Sequence, residues 1–211
     1  MTTVPRRIDA SKLTDTAWDA QAPLWWGNLL MIFIETATMM LLFASYFYVR
    51  RNFWEWPPPR VDQGPPLLDP SPNLLAATLN MVMLAASCIV MYWTDQAARK
   101  TDRPKVTVGL AIMFAVTVVS IALRAIEFRD LHFRWDDNAY ASNVWAILFM
   151  HLIYLLGGLG EFGVILAWCL LRKPFDEKHG LDVTLMGGYW YWLVGVWAIG
   201  YVIVFWYPRW S

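Results

Sequence analysis

Histidine, cysteine and charge are all scarce in this sequence. The three histidines, His132, His151 and His179, stand far apart and form no cluster able to hold a heme or copper, and the intramembrane His151 has no second ligand at helical i+3 or i+4 spacing. The two cysteines, Cys88 and Cys169, both lie inside apolar runs, which argues for small packing residues and against a disulfide framework. There is no C-x-x-C-H, no Gly-rich phosphate loop and no nucleophile–base pair. Charged residues make up 16% of the chain, against roughly 25% in an ordinary soluble domain. The formal net charge is zero, so no global field draws nucleic acid or an acidic partner. Residues 1–22 are polar and mixed in charge, without the apolar core of a cleavable signal, so insertion would rely on the first helix itself. No internal repeat appears, which removes support for an inverted-repeat transporter.

What the sequence has instead is apolar length. It is 58% hydrophobic with 14 Trp, and its mean hydropathy is positive. A helix needs roughly 20 residues to cross a hydrocarbon core of about 30 Å. Five runs meet that length, at about 25–49, 73–94, 106–126, 143–171 and 187–207. The expected fold is therefore all-α: an integral membrane bundle of five transmembrane helices (25–211) behind a polar N-terminal tail (1–24). Between the first two runs, 56–72 carries Pro57, Pro58, Pro59, Pro65, Pro66, Pro70 and Pro72, and reads as an extended extramembrane loop.

Orientation follows from lysine and arginine on alternate sides. Arg6, Arg7, Lys12, Arg99, Lys100, Arg103, Lys105, Arg172, Lys173 and Lys178 fall on the N-terminal side. Arg50, Arg51, Arg60, Arg124, Arg129, Arg134 and Arg209 fall on the other. The bias places the N-terminus in the cytoplasm and the C-terminus outside. Trp25, Trp26, Tyr46, Tyr48, Tyr92, Trp93, Tyr189 to Trp192, Trp206 and Tyr207 read as aromatic belts where helix ends meet headgroups.

Ionisable groups inside apolar runs cost several kcal/mol unless they have a partner or a task. Glu35 is the most sharply placed, near the middle of the first run. Asn28, Glu35, Thr38, Ser45 and Tyr46 share an arc of roughly 100° at 3.6 residues per turn. Two readings stand: a neutral acid donating one interhelical hydrogen bond, or a proton-exchanging site. The fourth run aligns Asn143, His151, Tyr154, Gly158 and Glu161. His151 and Glu161 are about 15 Å apart along the axis, so each needs a partner from another helix. Gly157, Gly158 and Gly160 mark a close approach by another backbone or a lipid chain. On the third run Thr117, Ser120, Arg124 and Glu127 share a face, with Arg124 and Glu127 an i,i+3 pair. A Glu127–His151 contact is expected from their common outer position.

With these residues placed, the chain from residue 25 onward resembles subunit III of the heme–copper terminal oxidases, the cytochrome c and quinol oxidases. Glu35 is followed by Phe43, Tyr46, Phe47 and Tyr48, as a mid-membrane Glu precedes an aromatic end in that family. Pro72, Leu79–Asn80, Ala85–Ala86–Ser87 and Trp93 follow in order. The family's Q-x-x-E-Y appears as Arg124, Glu127 and Phe128, and its H-x-x-H as His151 and Tyr154 before Gly158. The last helix keeps Tyr189, Trp190 and Trp197. Departures are Arg124 for Gln, Tyr154 for the second His, Tyr191 for His and Val194 for Asp, while Glu161 matches nothing in the pattern.

The resemblance implies a short, five-helix bacterial form in the inner (plasma) membrane. It implies a chain without cofactor or redox site, packed on catalytic subunit I, with subunits II and IV as further partners and heme and copper held in partner subunits. It implies bound phospholipid, with Arg172, Lys173 and His179 as headgroup candidates, and support of proton uptake and oxygen access. Glu35 is the intramembrane candidate; Glu127, His151, Tyr154, Glu161, Arg124 and Asn80 form the supporting polar set. The alternatives are a small proton-coupled transporter using Glu35 and Glu161, the accessory subunit of a nitric oxide reductase, and a free-standing membrane scaffold or assembly factor.

Overall fold

The computed structural model describes residues 23–58, 71–171 and 174–210, and among them every regular element is helical. Helix α1 is Pro23–Arg50, α2 Leu74–Arg99, α3 Arg103–Arg129 and α4 Ala139–Leu171. Helix α5, Glu177–Tyr201, widens into a π-helical turn at Val202–Trp206 and closes with the short α6, Tyr207–Trp210. Five helices, counting α5 through Trp210 as one, are long and apolar enough to cross a membrane. The chain is a multi-pass membrane protein.

Polar residues fix where the helices begin. Asn73 accepts a hydrogen bond from the Leu75 amide at 3.1 Å to cap α2. Asp102 caps α3 through the Lys105 amide, with Pro104 in the first turn where its missing N–H costs nothing. The Lys105 ammonium lies 2.6 Å from the Asp102 carboxylate and holds that carboxyl below its usual range. Asp176 caps α5 through the His179 amide at 3.1 Å, and that bond and the His179 ring likewise hold its carboxyl low.

The cap at Asp176 corrects the expected fifth span. The helix starts at Glu177 rather than near 187, because its first turns carry Lys178, His179 and Asp182, polar residues that read as connector on hydropathy alone. Tyr189 then lies about 18 Å into the helix at 1.5 Å per residue, not at an interface. Tyr189 and Trp190 are buried, Trp190 donates to Ser87 Oγ on α2 at 2.9 Å, and Trp192 donates to Thr36 Oγ1 on α1 at 2.7 Å. Apart from the exposed Tyr191, the belt expected at 189–192 is an interhelical core.

α2, α3 and α4 pack in sequence, and α5 lies against α2, α4 and α1. α5 is the most enclosed helix and α1 the least. Interhelical hydrogen bonds tie the layers: Thr78 with Tyr201 at 2.7 Å, Asn28 Nδ2 to the Leu185 carbonyl at 3.0 Å, and Arg103 Nε to the Cys169 carbonyl at 3.0 Å. At the other end of α1, the start of the Pro-rich connector is folded rather than extended. Trp56 is buried, donates to the Tyr46 hydroxyl at 3.2 Å and meets the Tyr140 ring edge-on at 4.8 Å. Residues 59–70 of that connector lie outside the described residues.

The α2–α3 turn holds Thr101 at φ 52°. A β-branched side chain is strained in that left-handed region, where glycine is not. Thr101→Gly should raise the midpoint of thermal unfolding in detergent, by the equivalent of about 1 kcal/mol; an unchanged or lower midpoint would show that the turn stores no such strain.

Candidate functional site

Two groups of polar side chains lie within the bundle, at different depths. The first joins α2, α3, α4 and α5 around Arg124, which is fully buried. One guanidinium nitrogen, Nη1, donates to Glu127 Oε2, and Nη2 lies 2.8 Å from His151 Nδ1. Arginine only donates, so Nδ1 accepts and His151 is a neutral imidazole protonated on Nε2. The other Glu127 oxygen accepts from Asn80 Nδ2 at 2.8 Å, and Asn80 Oδ1 accepts from Ser120 Oγ at 2.7 Å. The Arg124 guanidinium carbon stands 3.8 Å from the Trp197 ring centroid, and the His151 ring stacks on the same indole at 4.4 Å and 24°. The arrangement binds a buried cation by one carboxylate, one imidazole and one aromatic face.

This geometry corrects the direct Glu127–His151 contact. Both side chains bond to Arg124, whose longer side chain enters between them and satisfies each with a different nitrogen. Periodicity brought Arg124 and Glu127 together, but Trp197 had no polar signal and was legible only as part of an aromatic frame.

The second group surrounds Glu35 on α1. Its carboxyl is half-buried and has the Tyr189 hydroxyl as hydrogen-bond partner, while Oε2 is enclosed and unpartnered among the described residues. The Tyr154 hydroxyl donates to the Glu35 backbone carbonyl at 3.3 Å, and Glu161 acts electrostatically on the same Tyr189. Of the expected α1 face, Asn28, Thr38 and Tyr46 are engaged inward, Thr38 with the Tyr154 hydroxyl on α4 as well as with the Ile34 carbonyl of its own helix, whereas Ser45 is exposed. The buried ridge is Met39, Phe43, Tyr46 and Val49.

Glu161 is exposed, while His151, Tyr154 and Gly158 on its helix are buried. Ten residues at 100° each leave Glu161 about 80° round the helix from His151, and the neighbouring Phe162 takes the buried position. Glu161 instead lines a groove of about 540 Å³ between α1, α4 and α5, together with Asn28 and Asp182. His179 turns inward, stacked on Trp168 at 4.6 Å and paired with Asp176. The headgroup candidates Arg172 and Lys173 lie outside the described residues.

A sequence profile described as cytochrome c oxidase subunit III matches residues 9–209. The chain belongs to the cytochrome c oxidase subunit III family.

Family members similar to it, each named cytochrome c oxidase subunit 3, come from distant sources. The protein of Thermostichus vulcanus is 23% identical over 181 residues, 83% of this chain and 84% of its own length. That of Saccharomyces cerevisiae is 23% identical over 208 residues, covering 94% and 73%. That of Polypterus ornatipinnis is 26% identical over 132 residues, 61% of this chain; the chain spans about half of that relative's length, 49%. These relatives are parts of an oxidoreductase complex. Two departures from the subunit III motifs acquire a physical reason here. Arginine at 124 is tolerated because Glu127, His151 and Trp197 enclose it, and tyrosine at 154 reaches the Glu35 backbone from α4.

Proposed function

We propose that this chain is the cofactor-free subunit III of a heme–copper terminal oxidase in a bacterial plasma membrane. It packs on catalytic subunit I, binds phospholipid, and supports proton uptake and oxygen access while heme and copper work in partner subunits. The observation that carries the reading is the match to the family profile along residues 9–209, on a chain with five membrane-spanning helices. The basic turn Arg99, Lys100, Arg103 and Lys105 favours a cytoplasmic N-terminus by the positive-inside rule. Within this reading Glu35 is the proton-exchanging group. It pairs with a hydroxyl that can relay a proton, Tyr189, and shares its surroundings with a second carboxyl, Glu161.

Purification of the tagged chain from its native membrane, followed by an optical spectrum, tests the assignment. Heme bands and stoichiometric copper in the preparation are expected. A heme-free preparation that moves protons in liposomes would sink the oxidase reading in favour of the transporter. In the same preparation Glu35→Gln should leave assembly and initial turnover largely intact, because the amide keeps the shape and a hydrogen bond. Complete loss of electron transfer would remove Glu35 from a supporting role.

A further inference from the structure

The half of α1 that carries Glu35 is held by hydrogen bonds rather than by burial. From 23 to 38 none of its side chains is buried among the described residues, and the buried ridge begins only at Met39. Apolar burial therefore contributes little to the roll of this half about its own axis. Inside a bilayer, close packing and interhelical hydrogen bonds set how helices dock. Asn28 supplies one such bond, to the Leu185 carbonyl, and the others fall beside Glu35. The Trp192 indole N–H on α5 donates to Thr36 Oγ1 at 2.7 Å, and that hydroxyl donates in turn to the Ile32 carbonyl at 2.6 Å, so its direction is fixed at both ends. From α4 the Tyr154 hydroxyl meets the Glu35 carbonyl at 3.3 Å and the Thr38 side chain.

One side chain joins these contacts. The Trp192 ring lies 5.5 Å from the Tyr154 ring and 5.4 Å from the Tyr189 ring. Tyr189 stands three residues before Trp192 on the same face of α5, and it is the hydrogen-bond partner of the Glu35 carboxyl. The same indole thus touches both tyrosines that meet Glu35 and bonds the residue next to it. An indole N–H only donates, and hydrocarbon offers no water to replace a lost acceptor. The bond to Thr36 therefore favours one roll of α1 over its neighbours.

We infer that Trp192 is a positioning residue for Glu35: through Thr36 it fixes the roll of α1, and through its ring it fixes Tyr154 and Tyr189, so that the carboxyl stays against the Tyr189 hydroxyl. The inference rests on the reading of Glu35 as the proton-exchanging group, and the two fail separately. The readouts below report where the carboxyl sits whether or not it exchanges protons, whereas Glu35→Gln tests the exchange.

Two measurements on the full chain, purified from its native membrane, test it. In the first, fluorotyrosine replaces Tyr189 and is read by fluorine NMR. Thr36→Val is the decisive variant, since it removes the acceptor while the indole and its ring contacts stay in place. It should shift or split the resonance, and Thr36→Ser, which returns a hydroxyl, should bring it back to the parent position. The second is the rate at which a hydrophobic carbodiimide labels Glu35, with the modified peptides quantified by mass spectrometry. Trp192→Phe, which keeps a ring but not the N–H, and Thr36→Val should each raise that rate about fivefold, the factor by which one hydrogen bond of ordinary net strength shifts a closed-to-open equilibrium. Glu161, exposed on α4, is the reference in the same molecule, and its labelling should stay at the parent rate. A general loosening of the bundle would raise both. An unmoved resonance, an unchanged Glu35 rate, a parallel rise at Glu161, or a Thr36→Ser variant that behaves like Thr36→Val each overturns the inference.

Discussion

Arg124→Ala should destabilise the folded bundle by about 3–5 kcal/mol, the cost of leaving one partner of a buried ion pair uncompensated. Removing the guanidinium leaves Glu127 with Asn80 as its remaining side-chain donor, leaves His151 Nδ1 without its donor, and uncovers the face of Trp197. The diagnostic experiment is a double-mutant cycle. Glu127→Gln in the Arg124→Ala background removes the stranded charge, so the double variant should recover part of the loss, with a coupling of roughly 1–3 kcal/mol. Arg124→Gln should fall between, because one amide can donate to Glu127 or reach His151 but not both. Denaturant unfolding in detergent micelles reads all five proteins: the parent, Arg124→Ala, Glu127→Gln, the double variant and Arg124→Gln. If the Arg124 and Glu127 effects simply add, the pair is not coupled and the cluster is held by packing instead.

That cluster also shows what could be read before the structure. Arg124 and Glu127 are neighbours on one helix, so their pairing follows from a spacing of three residues. Asn80 and His151 were legible individually, as polar side chains inside apolar runs that need partners. Which partners they take depends on how α2, α3 and α4 are rotated against one another, and a single helix's periodicity does not contain that rotation. Trp197 was the hardest to foresee. An indole in an apolar run carries no mark of the cation on its face, and the chain holds 14 tryptophans among which it must be distinguished.

The spans were legible for a simpler reason: the bilayer imposes a minimum length on apolar runs. Their ends were less so, since helix ends answer to capping. Lys178, His179 and Asp182 lower hydropathy enough to hide the first turns of α5, yet Asp176 caps a helix that includes them. The ten-residue shift moved Tyr189 from an expected interface to the side of Glu35. Glu161 went the other way. A shared face drawn too wide put it with His151, whereas the helical phase turns it toward the groove.

Gly109→Ala should be the most disruptive methyl addition among the described glycines whose surroundings are known. A Cβ built on Gly109 of α3 lies 2.0 Å from Thr94 Oγ1 and 2.9 Å from Thr94 Cβ on α2. No rotation of Thr94 relieves the second contact, because Cβ is fixed by the backbone. The Thr94 hydroxyl is meanwhile bonded to the Val90 carbonyl at 2.8 Å, and the α2–α3 turn a few residues away leaves little room for the helices to part. Relief requires the two backbones to separate, which opens voids around the buried Leu110 and Val106. Overpacking of this kind costs typically 1–3 kcal/mol, and occasionally more. The partner substitution isolates the cause: Thr94→Gly in the Gly109→Ala background removes the offending atoms and should restore most of the loss, whereas Thr94→Ala keeps Cβ and should restore less. Equal rescue by both would mean that the atoms beyond Cβ, Oγ1 and Cγ2, and not the spacing of the backbones, set the requirement for glycine at 109.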